Sequence, residues 1–257
     1  MYDSPNSGRT HPLRVSCTNI DYDDPNDFHV KAKNLPEVTD NNLFCELIGN
    51  IIARRVGVLT PEPAIIRITK DFVEVFADRI VHGSLIPGYG VGAEYLKPQF
   101  TPIVPPFNFT AGQLNQAVRM YAYDMLVQNP DRSNTHGRSP NCAIHANQLI
   151  AFDFEFSFNF CFLTLFGQQY DPWEICSIGL HRNHLLFQTL RDAWRDMRID
   201  FSPFIQSLNE LHQLDLAQFM QYFPSINRTH IDKIEDHMCL MIAHSAEFQD
   251  QLYRSLE

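Results

Sequence analysis

No stretch of this chain approaches the roughly 18 consecutive apolar residues that a membrane-spanning helix requires. Its first residues, MYDSPNSGRTHPLR, also lack the apolar centre of a secretion signal. These two absences lead us to expect a cytoplasmic protein with no membrane partner. Cysteine is sparse and scattered. Six occur (Cys17, Cys45, Cys142, Cys161, Cys176 and Cys239) with no CxxC pair and no framework spacing, which argues against a zinc knuckle or a disulfide scaffold and for free thiols in a reducing compartment. Positive charge is short as well. Twenty basic side chains face thirty acidic ones for a net charge of −10, and Arg54–Arg55 is the only adjacent basic pair, so direct nucleic-acid binding is not expected. No G-x-S-x-G surrounds Ser84, Ser157 or Ser177, which removes the usual hydrolase elbow, and there is no G-x-G-x-x-G and no internal repeat.

What is present is apolar bulk. The sequence is 44% hydrophobic with 20 phenylalanines and 19% charged residues, a composition that excludes disorder and suffices for a sizeable core. Residues 12–18 and 27–33 read as two strands joined by the turn-forming DYDDPN. From Thr39 the period changes: Leu43, Phe44, Leu47, Ile48 and Ile52 recur every three or four residues, predicting a helix capped by Asp40 and ended by Gly57. AIIRI and FVEVF, separated by TKD, read as two further strands. A stretch rich in glycine and proline from Gly83 to Pro106, interrupted by GAEYL, reads as a crossing between lobes with the boundary near Pro98. Beyond it, Leu114 to Leu126 form a second helical stripe that runs into the polar loop QNPDRSNTHGRSPN. CAIH and LIAFDF then read as a hairpin, and the chain from about His184 is helical in period with breaks at Pro203, Asp215 and Pro224.

The segment Tyr123–Phe158 carries the chemistry. A helix delivers Asn129, Asp131 and Arg132 to a loop, and a strand then delivers Asp153 and Glu155. Phosphoryl transfer needs one carboxylate to orient or deprotonate the attacking hydroxyl and an oxygen cage that holds Mg²⁺ against the triphosphate. A loop Asp, a following Asn and an Asp beyond a short hairpin supply those groups. The bland reading of Asp131–Arg132 is a turn carboxylate with a surface ion pair. Asp153 is the stronger signal, because a carboxylate within LIAFDFEFSF is costly to bury without a metal, a cation or several donors. His181 and His184 have helical spacing for a shared metal but no third ligand nearby. The Phe-rich run from Phe152 to Phe166 reads as core packing behind Asp153.

YAYDMLVQNPDRSNTHGRSPNCAIHANQLIAFDFEFSF resembles the catalytic segment of the HipA-like kinases: a helix, N-x-D-R, an Asn before a strand, and a metal-binding Asp. Upstream, FHVKAKN and NLFCELIGNIIARRVGVLTPEP resemble that family's strand lysine and glutamate-bearing helix, and GVGAEYL resembles the approach to its hinge. The resemblance covers about three quarters of the chain and is nearest to short members without the larger toxin's extra N-terminal domain. It implies an α+β, two-lobed protein-kinase-like fold, with a β-rich lobe over residues 1–98 and a mostly helical lobe over 99–257. It further implies ATP and Mg²⁺ as cofactors, Lys31 and Glu46 at the phosphates, Glu94, Tyr95 and Leu96 at the nucleotide, Asn141 and Asp153 on the metal, and Asp131 as the catalytic base.

The sequence departs from the family pattern at three points. DRH or DRT is DRS here, ten positions separate Asp131 from Asn141 where kinase-like loops span about five, and no G-x-G-x-x-G lies over the phosphates; the metal Asp, which in this family is not followed by Phe-Gly, heads DFE here. Asn134 is nearer to Asp131 than Asn141 is, and Ser7–Gly8 is a poor substitute for a glycine loop. The implied activity is a bacterial serine/threonine kinase acting on an unidentified protein, with autophosphorylation at Ser133, Thr135 or Ser139 as one outcome. The alternatives are a pseudokinase acting as a binding module in a toxin–antitoxin or defence-type system, and a small-molecule kinase.

Overall fold

A computed structural model describes residues 12–18, 25–33, 35, 37–76, 85–97, 101–103, 107–133, 140–162, 170–211 and 214–257. Four antiparallel strands form the N-terminal sheet: β1 (Leu13–Thr18), β2 (Pro25–Ala32), β3 (Pro63–Ile68) and β4 (Gly88–Glu94), in the order β1-β2-β4-β3. In register, Leu13 faces Val30, Lys31 faces Val91 and Ile65 faces Val91 from the other side. β4 is thus central, and the stretch read as a crossing contributes a full strand to the sheet. Its glycines make that possible. A Cβ on Gly90 would lie 2.6 Å from the Lys31 carbonyl, and one on Gly92 would lie 2.9 Å from Ile66, so β4 passes between its neighbours only because those positions carry no side chain.

Helix α1 (Asp40–Arg55) packs on β3 and β4. Its cap is Thr39 and not Asp40: the Thr39 hydroxyl accepts the Asn42 amide at 3.2 Å, and the Asn42 side chain accepts the Thr39 amide in return. Asp40 instead begins the helix, where its charge meets the positive end of the dipole. Gly57 follows the helix in the left-handed region, as its position predicts. FVEVF is likewise not a strand. It lies in α2 (Lys70–Phe76), because Thr69 accepts the Phe72 amide at 3.2 Å and starts a helical turn that overrides the β propensity of Phe and Val.

Strands β5 (Thr101–Pro102), β6 (Cys142–His145) and β7 (Gln148–Ala151) make a second, three-stranded sheet against α3 (Ala111–Leu126). Thr110 and Gln113 form the capping box of α3, whose last seven residues are all buried. The remainder is helical: α4 (Ile175–Ile178), α5 (Phe187–Arg195), α6 (Ser202–Asn209), α7 (Arg228–Ala243) and α8 (Ser245–Arg254). The protein is therefore α+β, with a small antiparallel sheet at its N-terminal end and a larger helical part. The expected boundary at Pro98 lies outside the described residues. One hydrophobic cluster runs from Ala32 through α1 and α3 to Leu256, and Phe154 and Phe158 of the Phe-rich run lie within it. Among the described residues no helix is long and apolar enough to cross a membrane. The cysteines are free, with Cys45, Cys142 and Cys161 buried.

Candidate active site

Alternation along β2 turns Val30 to one face of the sheet and Lys31 to the other. On the Val30 face lies a groove of about 420 Å³ lined by Leu13, Val15, Phe28, Val30, Ile66 and Phe72. The charged chemistry is on the opposite face. There the Lys31 ammonium donates to Glu46 Oε2 at 2.8 Å, Asp153 Oδ1 at 2.6 Å and Glu155 Oε2 at 3.0 Å. Lys31 and Glu46 are only 9% and 6% exposed, so neither is a solvated surface residue. Glu46 also accepts the Phe154 amide at 3.0 Å, which ties α1 to the turn after β7. Glu46, Asp153 and Glu155 each bring one oxygen within 4.8 Å of the others.

Burial alone would lower the Lys31 pKa, but Glu46, Asp153 and Glu155 hold it well above the ordinary lysine value. The carboxylates move in response. Burial raises Glu46, and it pushes Glu155 up to about 7 against the pull of Lys31. Three carboxylates around one ammonium leave an excess of negative charge that suits a divalent cation.

The second half of the site is built on α3. Asp124 near the end of that helix is fully buried; it receives Arg132 Nε at 2.6 Å, His184 Nε2 at 2.9 Å and Asn129 Nδ2 at 3.0 Å. Although burial opposes ionisation, Arg132 and His184 hold the Asp124 carboxyl below its ordinary value. Asn129 in turn accepts the Asp131 amide at 3.1 Å. Arg132, 1% exposed, also donates to the Asn141 and Phe152 carbonyls, so one guanidinium holds both arms of the β6–β7 hairpin mouth. The surface ion pair considered for Asp131–Arg132 is thus replaced by a buried clamp. Asn141 Nδ2 donates to Asp131 Oδ2 at 2.5 Å, which leaves the Asn141 side-chain oxygen as the atom able to meet a cation. Asn141 and Asp153 both lie in the left-handed region, at φ 50° and 62°, a conformation that Asn and Asp tolerate better than most residues.

The structure therefore brings Lys31, Glu46 and Asp153 into direct contact and joins Asp131 to Asn141. Asn134 lies outside the described residues, as do Ser7, Gly8, Thr135 and Ser139; Ser133 is buried. Glu94, Tyr95 and Leu96 sit at and just beyond the end of β4. The Glu94 and Tyr95 amides already donate to the Glu62 and Asp27 carbonyls, and the Tyr95 ring packs against His29 and Arg14. His181 and His184 do not share a metal: His184 Nδ1 accepts the Leu186 amide at 3.1 Å while Nε2 faces Asp124, so both ring nitrogens are engaged. From the sequence, Asp124 is passed over and Glu155 is named beside Asp153 without a role. The signal for Asp124 was a lone charge in the apolar helix YAYDML, the same argument that singled out Asp153; Glu155 shares the apolar run of Asp153.

A strand lysine paired to a helix glutamate, with an Asp–Asn loop and a further Asp across a short hairpin, defines a protein of kinase-like architecture. The sequence model of the HipA-like kinases matches residues 5–165, well over half of the chain, and the protein belongs to that family. No curated protein matches. Among solved structures it is similar to a Helicobacter pylori proinflammatory kinase, CtkA, with 10% identity over 99% of this chain and 93% of that one and a TM-score of 0.46.

Proposed function

We propose that the protein is an ATP-dependent phosphotransferase that moves the γ-phosphoryl group of ATP to a serine or threonine hydroxyl of another protein. The observation that carries this reading is the contact of Lys31 with Glu46 and Asp153, at 2.8 and 2.6 Å, beside the Asp131–Asn141 pair at 2.5 Å. Lys31 would meet the phosphates, steadied by Glu46. Asn141, through its side-chain oxygen, and Asp153 would hold Mg²⁺, an all-oxygen set that suits a hard cation. Held by those two residues, Mg²⁺ would offset charge on the phosphate oxygens. Asp131 orients the acceptor hydroxyl and takes its proton as the new O–P bond forms and ADP leaves. With the Glu94 and Tyr95 amides engaged, the base would be met by carbonyl oxygens of residues 94–96 or by Leu96.

The test is calorimetric titration of ATP with Mg²⁺ into the wild type, Asp153→Ala and Asp131→Asn, with γ-labelled phosphate then followed on the same samples and on added lysate proteins. Wild type should bind and label protein, Asp153→Ala should lose binding, and Asp131→Asn should bind but transfer at least about a hundredfold more slowly. Binding without transfer by the wild type would mark a nucleotide-holding module. Label appearing only on small molecules would mark a small-molecule kinase, and absence of binding would overturn the reading.

A further inference from the structure

The Lys31 ammonium has three hydrogens, and three carboxylates take them: Glu46 at 2.8 Å, Asp153 at 2.6 Å and Glu155 at 3.0 Å. The donor is saturated. A phosphate oxygen can reach Lys31 only if one of those carboxylates gives way, and the three differ in what else holds or claims them. Glu46 is fixed twice over, because its Oε2 also accepts the Phe154 amide at 3.0 Å and because α1 is seated at Gly49 directly on Ser157. Asp153 is the residue assigned to the metal under the proposed function. Glu155, like Asp153, has Lys31 as the sole hydrogen-bonding partner of its carboxylate among the described residues, but unlike Asp153 it has no role of its own in the proposed site.

We infer that Glu155 is an internal stand-in for nucleotide phosphate, one that keeps Lys31 paired in the nucleotide-free protein and must be displaced before ATP can bind. The inference rests on the nucleotide reading of the site and deepens it. While Glu155 occupies the third hydrogen of Lys31, the ammonium stays paired in a buried setting that would make a bare charge costly. When a triphosphate enters, the same carboxylate becomes a competitor and a like charge close to the phosphates. Nucleotide affinity is therefore set by an exchange on Lys31. The third residue of the DFE tripeptide, where the kinase motif has glycine, is what weakens it.

Titration of ATP into the wild type and Glu155→Gln, once with Mg²⁺ and once with EDTA, tests this. Glu155→Gln keeps the side-chain shape and removes the charge, so it should tighten ATP binding roughly tenfold in both conditions, the equivalent of about 1.4 kcal/mol. Should Glu155→Gln not fold, Glu155→Asp, which withdraws the carboxylate by one methylene, should shift affinity the same way. Weaker binding in the variant only when Mg²⁺ is present would make Glu155 a metal ligand and overturn the inference, and unchanged affinity in both conditions would also overturn it. In either case the nucleotide reading would survive. If neither protein binds ATP, the inference and that reading fall together.

Discussion

Asp124 and Arg132 are almost wholly removed from water, and Arg132 Nε donates to Asp124 Oδ2 at 2.6 Å. Removing one member of such a pair strands a charge in the core, so Arg132→Ala should cost about 3–5 kcal/mol in urea unfolding. It would also release the Asn141 and Phe152 carbonyls that Arg132 gathers. The Asp124 carboxyl titrates below its ordinary value when folded. Its stabilising contribution is therefore complete above the ordinary carboxylate range and is lost as pH falls through the lowered folded value. A second titration is separable from this one. His237 is buried with Nε2 2.7 Å from the Leu126 carbonyl, and burial lowers its pKa from 6.5 to about 4. The folded protein keeps that imidazole neutral while the unfolded chain protonates, so stability is full above pH 6.5 and falls as pH drops toward 4, by about 3 kcal/mol over the window. His237→Gln should flatten the urea-midpoint profile across that range. At this scale Lys31, Glu46, Asp131, Asn141 and Asp153 could be singled out from the sequence because each stands in a short motif with its own chemistry. The pairings of His184 and His237 could not be, because the partners Asp124 and Leu126 lie 60 and 111 positions away and nothing local marks them.

At the scale of elements, α1 carries Glu46, and its position depends on one residue without a side chain. A Cβ on Gly49 would fall 2.7 Å from Ser157 Oγ and 2.9 Å from Phe154 Cβ, while the Gly49 carbonyl accepts the Tyr123 hydroxyl at 2.8 Å. Gly49→Ala should accordingly destabilise the protein by about 1–3 kcal/mol through overpacking. Because the displaced surface is the turn holding Asp153 and Glu155, it should also weaken nucleotide binding at the proposed site. Ser157→Gly in the same chain should restore part of both losses, since it removes the nearest clash but not the Phe154 contact. A purely local helix-propensity effect would instead favour alanine over glycine and raise the thermal midpoint. The periodicity of α1 and α3 was readable because one continuous stripe of each is buried. FVEVF was misread because alternation over five residues cannot distinguish a short strand from one and a half turns of helix, and the Thr69 hydroxyl decides the matter.

Across the whole molecule, the proposed site exists only when distant segments meet: Lys31 and Asp153 are 122 positions apart, and Glu46 and Phe154 are 108 apart. The order of the motifs along the chain was visible in the sequence, but their convergence required the sheet, α1 and α3 to share one core. The same convergence couples binding to global stability. A ligand that binds only the assembled site stabilises the fold by mass action, about 2.7 kcal/mol at a hundred times its Kd, which for a chain of this size raises the thermal midpoint by roughly 5–10 °C. Because the hydrophobic cluster is continuous from Ala32 to Leu256, the sheet and the helical part should melt in one calorimetric transition. Addition of ATP with Mg²⁺ should move that transition as a unit, and Asp153→Ala should leave it unmoved. Two separate transitions, with the ligand shifting only the earlier, would show that the N-terminal sheet unfolds independently and that Lys31 is brought to Asp153 by the nucleotide instead of by the shared core.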